Sequence, residues 1–323
     1  MRIVALEEHA TLPGFAAELE AQAPSDRGGR GGNPRAAELE DIFGDRLRLM
    51  DESGITQTVL SVPGPGPVRL APDAGVDYAR RYNDGLAKVV GERPDRFASF
   101  AHLPLGQPSA AADELERAVT QLGLRGTLIS GTTKGVFLDD PAFAPLLARA
   151  EKLDVPIYIH PGVPPDSVRK AYYDGYSPHL SQIFATAGWG WHIETGVHIL
   201  RMVLSGTFDK HPKLRVIVGH MGECLPFMLA RCDDFMGQKL TGLPRTVSQT
   251  ILDHVTITTA GFYSVPPFLA ALLTFGADRI MFSIDYPFSR IDLQRAFLDA
   301  LPVTPSDREK IAHRNADKLL KLV

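Results

Sequence analysis

Val155-Pro-Ile-Tyr-Ile-His160 is the stretch that decides the fold, because it is short, apolar, rich in β-branched residues and closed by a polar side chain. Leu214-Arg-Val-Ile-Val-Gly-His220 repeats this pattern about sixty residues later. Runs of this kind are typical of parallel strands that are buried on both faces beneath helices. The sequence therefore predicts two parallel strands, at 155–160 and 214–219.

Similar apolar runs recur along the rest of the chain and alternate with amphipathic segments. They predict six further strands, at about 2–8, 56–62, 96–103, 125–130, 254–259 and 279–285. Helices are predicted between strands at 74–91, 109–122, 141–153, 192–205 and 224–238.

Eight strands that alternate with helices predict an α/β protein, namely a TIM-like (β/α)8 barrel that forms a single domain over 1–323. A two-domain α/β arrangement is the alternative. Residues 21–36 are rich in glycine, proline and charge. They predict an irregular, mobile insertion after the first strand.

Composition narrows the range of partners. The chain has 323 residues and a formal net charge of -4, which favours neither nucleic acid nor a membrane surface as a partner. The sequence contains no run of about 18 apolar residues, so it predicts no membrane span. Cys224 and Cys232 lie eight residues apart on one predicted helix, too far apart to form a disulfide with each other. We therefore expect a cytoplasmic protein.

Polar residues at the ends of three predicted strands form a candidate metal site. All strands of a parallel barrel end at the same face, and alternation along a strand puts Glu7 and His9 on one side. His160 and Asp285 end two further strands. Two imidazoles and two carboxylates with open coordination positions suit one divalent catalytic metal ion.

A second set of residues is predicted to act beside this site. His220 could be held by Glu223, which would fix its tautomer and raise its basicity. The alternative is that His220 caps a helix beginning near Glu223. Arg231, two turns further along that predicted helix, could contact Glu223 or a substrate carboxylate, and a surface or ion-pair role is equally favoured. Asp285 could either take a proton from metal-bound water or donate one to a substrate carbon.

Three other histidines are weaker candidates. His102 closes the third predicted strand, but packing in the core is at least as well supported as a place in the pocket. His192 and His198 lie on a predicted helix that follows Trp189 and Trp191. These tryptophans could wall an aromatic pocket, although a core or interface role is the more general expectation for the whole segment.

Several motifs together resemble the amidohydrolase superfamily, and within it the metal-dependent, non-oxidative decarboxylases. Members of that branch include the γ-resorcylate, 2,3-dihydroxybenzoate, 5-carboxyvanillate and aminocarboxymuconate-semialdehyde decarboxylases. The resemblance extends over nearly the whole chain and includes Ala5-Leu-Glu-Glu-His9, Val155-Pro-Ile-Tyr-Ile-His-Pro161, Gly219-His-Met-Gly-Glu-Cys-Leu-Pro226 and Asp278-Arg-Ile-Met-Phe-Ser-Ile-Asp-Tyr-Pro-Phe288.

The resemblance implies one divalent ion per subunit, zinc or manganese, and a homodimer or homotetramer. It implies that the metal ligands are Glu7, His9, His160 and Asp285, and that the residues beside the substrate are His220, Glu223 and Arg231. The implied reaction is decarboxylation of a small ortho-hydroxy aromatic carboxylic acid, in which Asp285 protonates the ring carbon and carbon dioxide leaves.

Two loops depart from the pattern of the hydroxybenzoate enzymes. Ile129-Ser-Gly131 stands where Val-Asn-Gly is common, and Pro161-Gly162 stands where Pro-Arg is common. These loops shape the pocket, so the sequence does not predict which ring substituents the acid carries. Two alternative functions remain at this stage. One is a hydrolase or hydratase of a small lactone, ester or unsaturated acid, and the other is a catalytically silent metal-binding barrel.

Overall fold

The computed structural model describes residues 1–23, 33–64 and 66–323. Its eight strands are β1 Val4–His9, β2 Gln57–Ser61, β3 Phe97–Ser99, β4 Thr127–Ser130, β5 Ile157–His160, β6 Val216–Val218, β7 Val255–Thr258 and β8 Ile280–Met281. They pair in parallel and in chain order, β1 to β3 in one sheet and β4 to β8 in another.

Two seams join these sheets, and each carries one isolated parallel bridge rather than a full ladder. The β1–β8 seam is bridged at Leu6 and Ser283, and the β3–β4 seam at Ala101 and Thr127. The predicted (β/α)8 barrel is confirmed, with these two seams as its weakest backbone connections.

The helices follow the strands and cover the outside of the barrel. They are α1 Phe15–Gln22, α2 Ala36–Glu40, α3 Asp45–Glu52, α4 Pro72–Glu92, α5 Pro108–Thr120, α6 Ala144–Leu153, α7 Asp166–Tyr172, α8 Pro178–Ala185, α9 Gly190–Leu204, α10 Thr207–Lys210, α11 Leu225–Phe235, α12 Gln238–Thr241, α13 Val247–His254, α14 Val265–Phe275, α15 Ile291–Ala300, α16 Pro305–Glu309 and α17 Asn315–Leu320. Within the described residues, no helix is long and apolar enough to cross a bilayer.

A compact apolar cluster fills the inside of the barrel. Its residues on the strands are Val4, Leu6, Val59, Ala98, Leu128, Tyr158, Ile217 and Met281, and Phe100, just after β3, joins them. Ala316 and Leu320 of α17 join this cluster from below. Ion pairs from Arg2 to Asp317 and from Lys321 to Asp154 tie α17 to the amino ends of the strands. Only the carboxyl ends are therefore left to form a polar mouth.

Several strands are shorter than the sequence predicted. Strand 8 ends at Met281, so Asp285 lies four residues beyond it in a loop, not at the strand end. Strand 3 spans only 97–99. The predicted insertion at 21–36 lies partly outside the described residues, because 24–32 are not described, while Gln22 ends α1 and Ala36 begins α2. The assignment of 1–323 to a single domain stays a prediction.

Candidate metal and substrate site

Glu7, His9, His160 and Asp285 meet at the carboxyl end of the barrel. Each of them offers one nitrogen or oxygen atom, and these four atoms all lie within 4.8 Å of one another. His160 Nε2 is 3.1 Å from Glu7 Oε1, and His9 Nε2 is 3.3 Å from Asp285 Oδ1. The structure therefore gathers all four predicted ligands, although their role as ligands stays a prediction.

The backbone at two of these residues is unusual. Glu7 has φ 59°, where the β1–β2 register shifts between Ala5 and Glu8, and Asp285 has φ 71°. Positive φ is uncommon for residues with a side chain and is concentrated at functional sites. Glu7 and His9 reach the same cluster through this irregularity, so simple strand alternation gives the right partners but an incomplete account of the geometry.

A cation fits the space between Glu7 and His160. His160 Nδ1 lies 2.7 Å from the Pro161 carbonyl, which can only accept, so this nitrogen carries a proton. Burial lowers the pKa of His160, but the contact with Glu7 outweighs burial and raises it. When the ring is neutral, as a metal ligand must be, Nε2 presents a lone pair to Glu7 Oε1, which is buried and has no hydrogen-bond partner among the described residues. Two electron-rich atoms that face each other in a buried site suit a shared divalent ion with nitrogen and oxygen ligands.

Other buried groups orient the four candidate ligands. Ser61 Oγ lies 3.0 Å from His9 Nδ1, so His9 Nε2 is directed at the cluster. The Tyr158 hydroxyl donates to Glu7 Oε2 and lies 2.8 Å from Thr258 Oγ1. Burial, together with the charge of Glu7, raises the pKa of Tyr158 well above its usual value, so the hydroxyl remains a hydrogen-bond donor. Contacts of this kind hold metal ligands in one orientation.

Glu223 is shared by two imidazoles. His220 Nδ1 lies 2.6 Å from Glu223 Oε1, and His192 Nδ1 lies 2.6 Å from Glu223 Oε2. Their rings lie 4.8 Å apart. Nε2 of His220 faces the metal cluster, 3.5 Å from Glu7 Oε1 and 3.7 Å from Asp285 Oδ2. The predicted contact between His220 and Glu223 is present, and His192 is an addition to it.

This arrangement controls protonation. Burial lowers the pKa of His220, but the negative charges of Glu223 and Glu7 outweigh burial and raise it well above its usual value. Burial raises the pKa of Glu223, but the positive His220 outweighs burial and lowers it. For Asp285 burial again favours the neutral form, yet hydrogen bonds from His220 and His9 hold its pKa below the usual range. The free site therefore holds an imidazolium beside ionised carboxylates.

Aromatic rings surround the cluster. The Phe288 ring lies 5.6 Å from that of His9, and the Phe262 ring lies 6.2 Å from that of His220. The Trp191 ring lies 6.4 Å from the His160 ring, whereas Trp189 is half exposed. Flat apolar walls beside a cationic and anionic cluster suit a planar aromatic acid.

Arg231 does not join this site within one chain. It lies on the exposed face of α11, and its guanidinium stacks 3.6 Å from the centre of the Phe235 ring. The shared helix assumed for Glu223 and Arg231 is wrong, because α11 begins at Leu225 and Glu223 has φ 51°. For the same reason, His220 does not cap this helix.

His102 and His198 belong to the core rather than to the cluster. Burial lowers the pKa of each of them to about 4, so both are neutral near pH 7. The Nε2 atom of His198 accepts a hydrogen bond from the backbone N–H of Leu138, at 3.0 Å. A neutral ring is required for that contact.

Sequence reasoning missed two residues of the site. His192 appeared only as a member of an aromatic helix segment, and no local spacing links it to Glu223, 31 residues away. Glu8 was not a candidate, because strand alternation directs it to the side opposite Glu7 and His9. It is fully buried, and its carboxylate accepts hydrogen bonds from the backbone N–H groups of Ile284 and Tyr286, on either side of Asp285. Its position between Glu7 and His9 was the one feature of the sequence that could have indicated a role for Glu8 at the site.

Comparisons with known proteins agree with this geometry. A family model described as amidohydrolase matches residues 9–322. The chain is 39% identical to the γ-resorcylate decarboxylase of Rhizobium sp. (strain MTP-10005), covering 99% of this chain and 98% of the relative.

Two solved structures extend the likeness to three dimensions. The 5-carboxyvanillate decarboxylase of Sphingomonas paucimobilis superposes with a TM-score of 0.92 at 30% identity, covering 100% of this chain and 99% of the other. The dihydroxybenzoic acid decarboxylase of Polaromonas sp. JS666, with bound manganese and the inhibitor 2-nitroresorcinol, superposes with a TM-score of 0.88 at 34% identity, covering 99% and 97%.

Proposed function

This chain belongs to the amidohydrolase family, and from that premise we propose that it is a metal-dependent, non-oxidative decarboxylase of an ortho-hydroxy aromatic carboxylic acid. The relative that acts on γ-resorcylate, which is 2,6-dihydroxybenzoate, aligns with nearly the whole chain, so this acid is the proposed substrate. The hydrolase alternative has no specific observation in its favour.

The observation that carries the proposal is the pairing of two neighbouring clusters. Four donor atoms within 4.8 Å suit a divalent ion, for which manganese is the first choice because a relative of known structure holds it. His220, held by Glu223, lies beside these donors. One cluster therefore holds positive charge where a substrate carboxylate would bind, and the other places a proton-bearing ring next to it.

The proposed ligands are Glu7, His9, His160 and Asp285. A divalent ion held by these residues would supply a fixed positive charge that would stabilise the negative charge of the bound substrate. The aromatic walls orient the ring, so that the carbon bearing the carboxylate faces Asp285. Orientation of this kind makes the reaction a step within one complex and, in favourable cases, lowers the activation barrier by about 7–11 kcal/mol.

The low pKa of Asp285 determines where its proton comes from. Because this carboxylate is ionised in the free site, it accepts the proton of the substrate ortho-hydroxyl as the substrate binds. Asp285 then gives that proton to the ring carbon, and a C–H bond forms. The electron pair of the C–C bond returns to the ring as carbon dioxide leaves, and the product phenolate takes up one proton from solvent.

His220 stabilises the negative charge carried by the ring oxygens during this sequence. In the free site, the charges of Glu223 and Glu7 outweigh burial and raise the pKa of His220, and its Nε2 is directed at the cluster rather than at Glu223. Glu223 fixes the tautomer and His192 fixes Glu223. His220 and Asp285 are therefore the proposed catalytic residues, while Glu223 and His192 are positioning residues.

Decarboxylation in deuterium oxide tests the function. The protein is incubated with Mn(II) and 2,6-dihydroxybenzoate, and carbon dioxide and resorcinol are measured. We expect equal amounts of both products and one deuterium on the carbon between the two hydroxyls. Release of neither product from any hydroxybenzoate, together with hydrolysis of a lactone or ester, would establish the alternative instead.

Asp285→Asn tests the proposed proton donor. We expect it to lower kcat by at least about 100-fold, the usual contribution of a positioned proton donor. Asp278→Asn is the matched control, because Asp278 lies just before β8, is exposed and, among the described residues, forms an ion pair with Lys310 alone. An Asp285→Asn protein with near wild-type turnover would refute the mechanism.

We also propose a cytoplasmic homo-oligomer. Phe227 and Phe235 of α11 and Leu273 of α14 are each more than half exposed, and an apolar face of this kind often marks an interface. Arg231 lies on the same helix, so an oligomer would be the route by which it approaches a site. Light scattering should give a mass above one chain, and Phe227→Glu combined with Leu273→Glu should lower it. Both cysteines are free, as expected for a reducing compartment.

A further inference from the structure

The β1–β8 seam lies directly beside the candidate metal cluster. His9 belongs to β1, and Asp285 follows β8, so the seam separates two proposed ligands whose nearest atoms are 3.3 Å apart. The two sides are paired by one isolated β-bridge, between Leu6 and Ser283. Both sides also contain a residue at positive φ, Glu7 and Asp285. Such conformations persist only where the surrounding structure fixes them.

β1 donates two backbone hydrogen bonds across this seam. β1 donates from Leu6 N–H to the Phe282 carbonyl at 3.2 Å and from His9 N–H to the Tyr286 carbonyl at 2.8 Å. On the β8 side, the N–H groups of Ile284 and Tyr286 contact a side chain of β1. They donate to the carboxylate of Glu8, at 2.9 Å to Oε1 and 3.3 Å to Oε2. The Glu8 side chain thus holds the backbone on both sides of Asp285.

Arg46 of α3 holds the same two segments from outside. Its Nη2 donates to the His9 carbonyl, and its guanidinium lies 4.7 Å from the centre of the Tyr286 ring. Glu8 is fully buried and Arg46 is 2% exposed. Two buried polar side chains therefore contact the backbone or rings of both ligand-bearing segments, and among the described contacts neither reaches a donor atom of a proposed ligand.

We propose that Glu8 is a positioning residue that, together with Arg46, sets the separation of His9 and Asp285 and thereby the affinity and geometry of the metal site. This inference rests on the proposed function, because it requires these residues to be ligands. Its physical basis is that groups behind metal ligands orient them, and that loss of such a group commonly weakens metal binding by about 10- to 100-fold.

Glu8→Gln is the variant that tests this role. The amide keeps the size of the side chain but offers one acceptor oxygen instead of two, so its NH2 group must face one of the two backbone N–H groups. We expect the Mn(II) affinity, measured by calorimetry, to fall by about 10- to 100-fold. The visible absorption of the Co(II)-loaded protein should change as well, since it reports ligand geometry independently of activity.

Glu114→Gln is the matched control, because Glu114 is another buried glutamate that accepts from Asn83 and Arg117 on α5. It should lower Tm yet keep the Mn(II) affinity within about twofold, well below the usual loss for a group behind a ligand. Equal losses of Mn(II) affinity in Glu8→Gln and Glu114→Gln would overturn the inference, since general destabilisation would then explain both.

Two further outcomes are decisive. If Glu8→Gln does not fold, Glu8→Asp carries the same test, because its shorter carboxylate can span only one of the two N–H groups. A Glu8 variant with wild-type Mn(II) affinity and wild-type Co(II) absorption would overturn the inference alone. A wild-type protein that binds neither Mn(II) nor Co(II) would overturn the proposed function and this inference together.

Discussion

Replacement of Glu223 by Gln tests whether the carboxylate shared by His220 and His192 is needed for turnover. Glu223 is 1% exposed and accepts from both imidazoles at 2.6 Å. Glutamine keeps its shape but removes the charge, and its NH2 group must face one of the two ring nitrogens. A buried hydrogen bond to a charged group contributes about 1.5–3 kcal/mol. At 1.36 kcal/mol for each factor of ten, we expect kcat to fall by about 10- to 150-fold.

The pH dependence of the same variant has a defined sign. Glu223 helps to raise the pKa of His220, so the protonated ring is retained to higher pH in the wild type. Activity that needs this proton is present below the pKa of His220 and is lost as pH rises through it. In Glu223→Gln the loss should begin at lower pH, and part of the activity should return as the solution is made more acidic.

Initial rates of resorcinol release, measured across the pH range with saturating Mn(II), provide the assay. Glu151→Gln is the matched control, because Glu151 also contacts a histidine, His211 at 3.3 Å, but lies on α6 near the start of β6. It should leave both kcat and the pH profile unchanged. An unaltered pH profile and near wild-type kcat in Glu223→Gln would refute the reasoning.

Three further results are expected. Burial lowers the pKa of His198 to about 4, so the unfolded chain takes up a proton at this ring before the folded protein does. The wild type should therefore lose at most about 3 kcal/mol of its free energy of unfolding through His198 as the pH falls from about 6.5 to about 4. Chemical denaturation of His198→Gln should show a smaller loss over the same range. Gly219→Ala should weaken Mn(II) binding in calorimetry, because a Cβ there would lie 2.7 Å from Glu7 Oε2, whereas Gly91→Ala, with open space around it, should not. His192→Leu should lower kcat less than Glu223→Gln does, since His220 keeps its partner; an equal loss in steady-state rates would argue against the shared carboxylate.

Local pattern was sufficient to predict the fold. Buried parallel strands need apolar residues on both faces, so they appear in the sequence as short runs of consecutive apolar residues, as in Ile157–His160. Strand boundaries were less accurate at β3 and β8. There the apolar run continues past the last paired residue, because pairing depends on the neighbouring strand and not on the run itself.

The four candidate ligands were also predictable, since a barrel brings all carboxyl strand ends to one face. The backbone path that brings them together was not predictable from the sequence. Glu7 and Asp285 adopt positive φ, and Asp285 lies in a loop that Glu8 holds by its backbone. Arg231 was expected near Glu223, yet the chain turns at Glu223 and Cys224 before α11 begins, which leaves Arg231 on the surface.

By itself, then, the sequence determined which residue types stand at the ends of the strands and that helices alternate with those strands, because both depend on periodicity within a few residues. Tertiary structure alone decided that His192 shares Glu223 with His220 and that Glu8 spans the β1–β8 seam. Each of these contacts joins polar atoms from segments far apart in the chain. Their meeting is fixed by how the barrel closes and how its helices pack, and no local spacing encodes it.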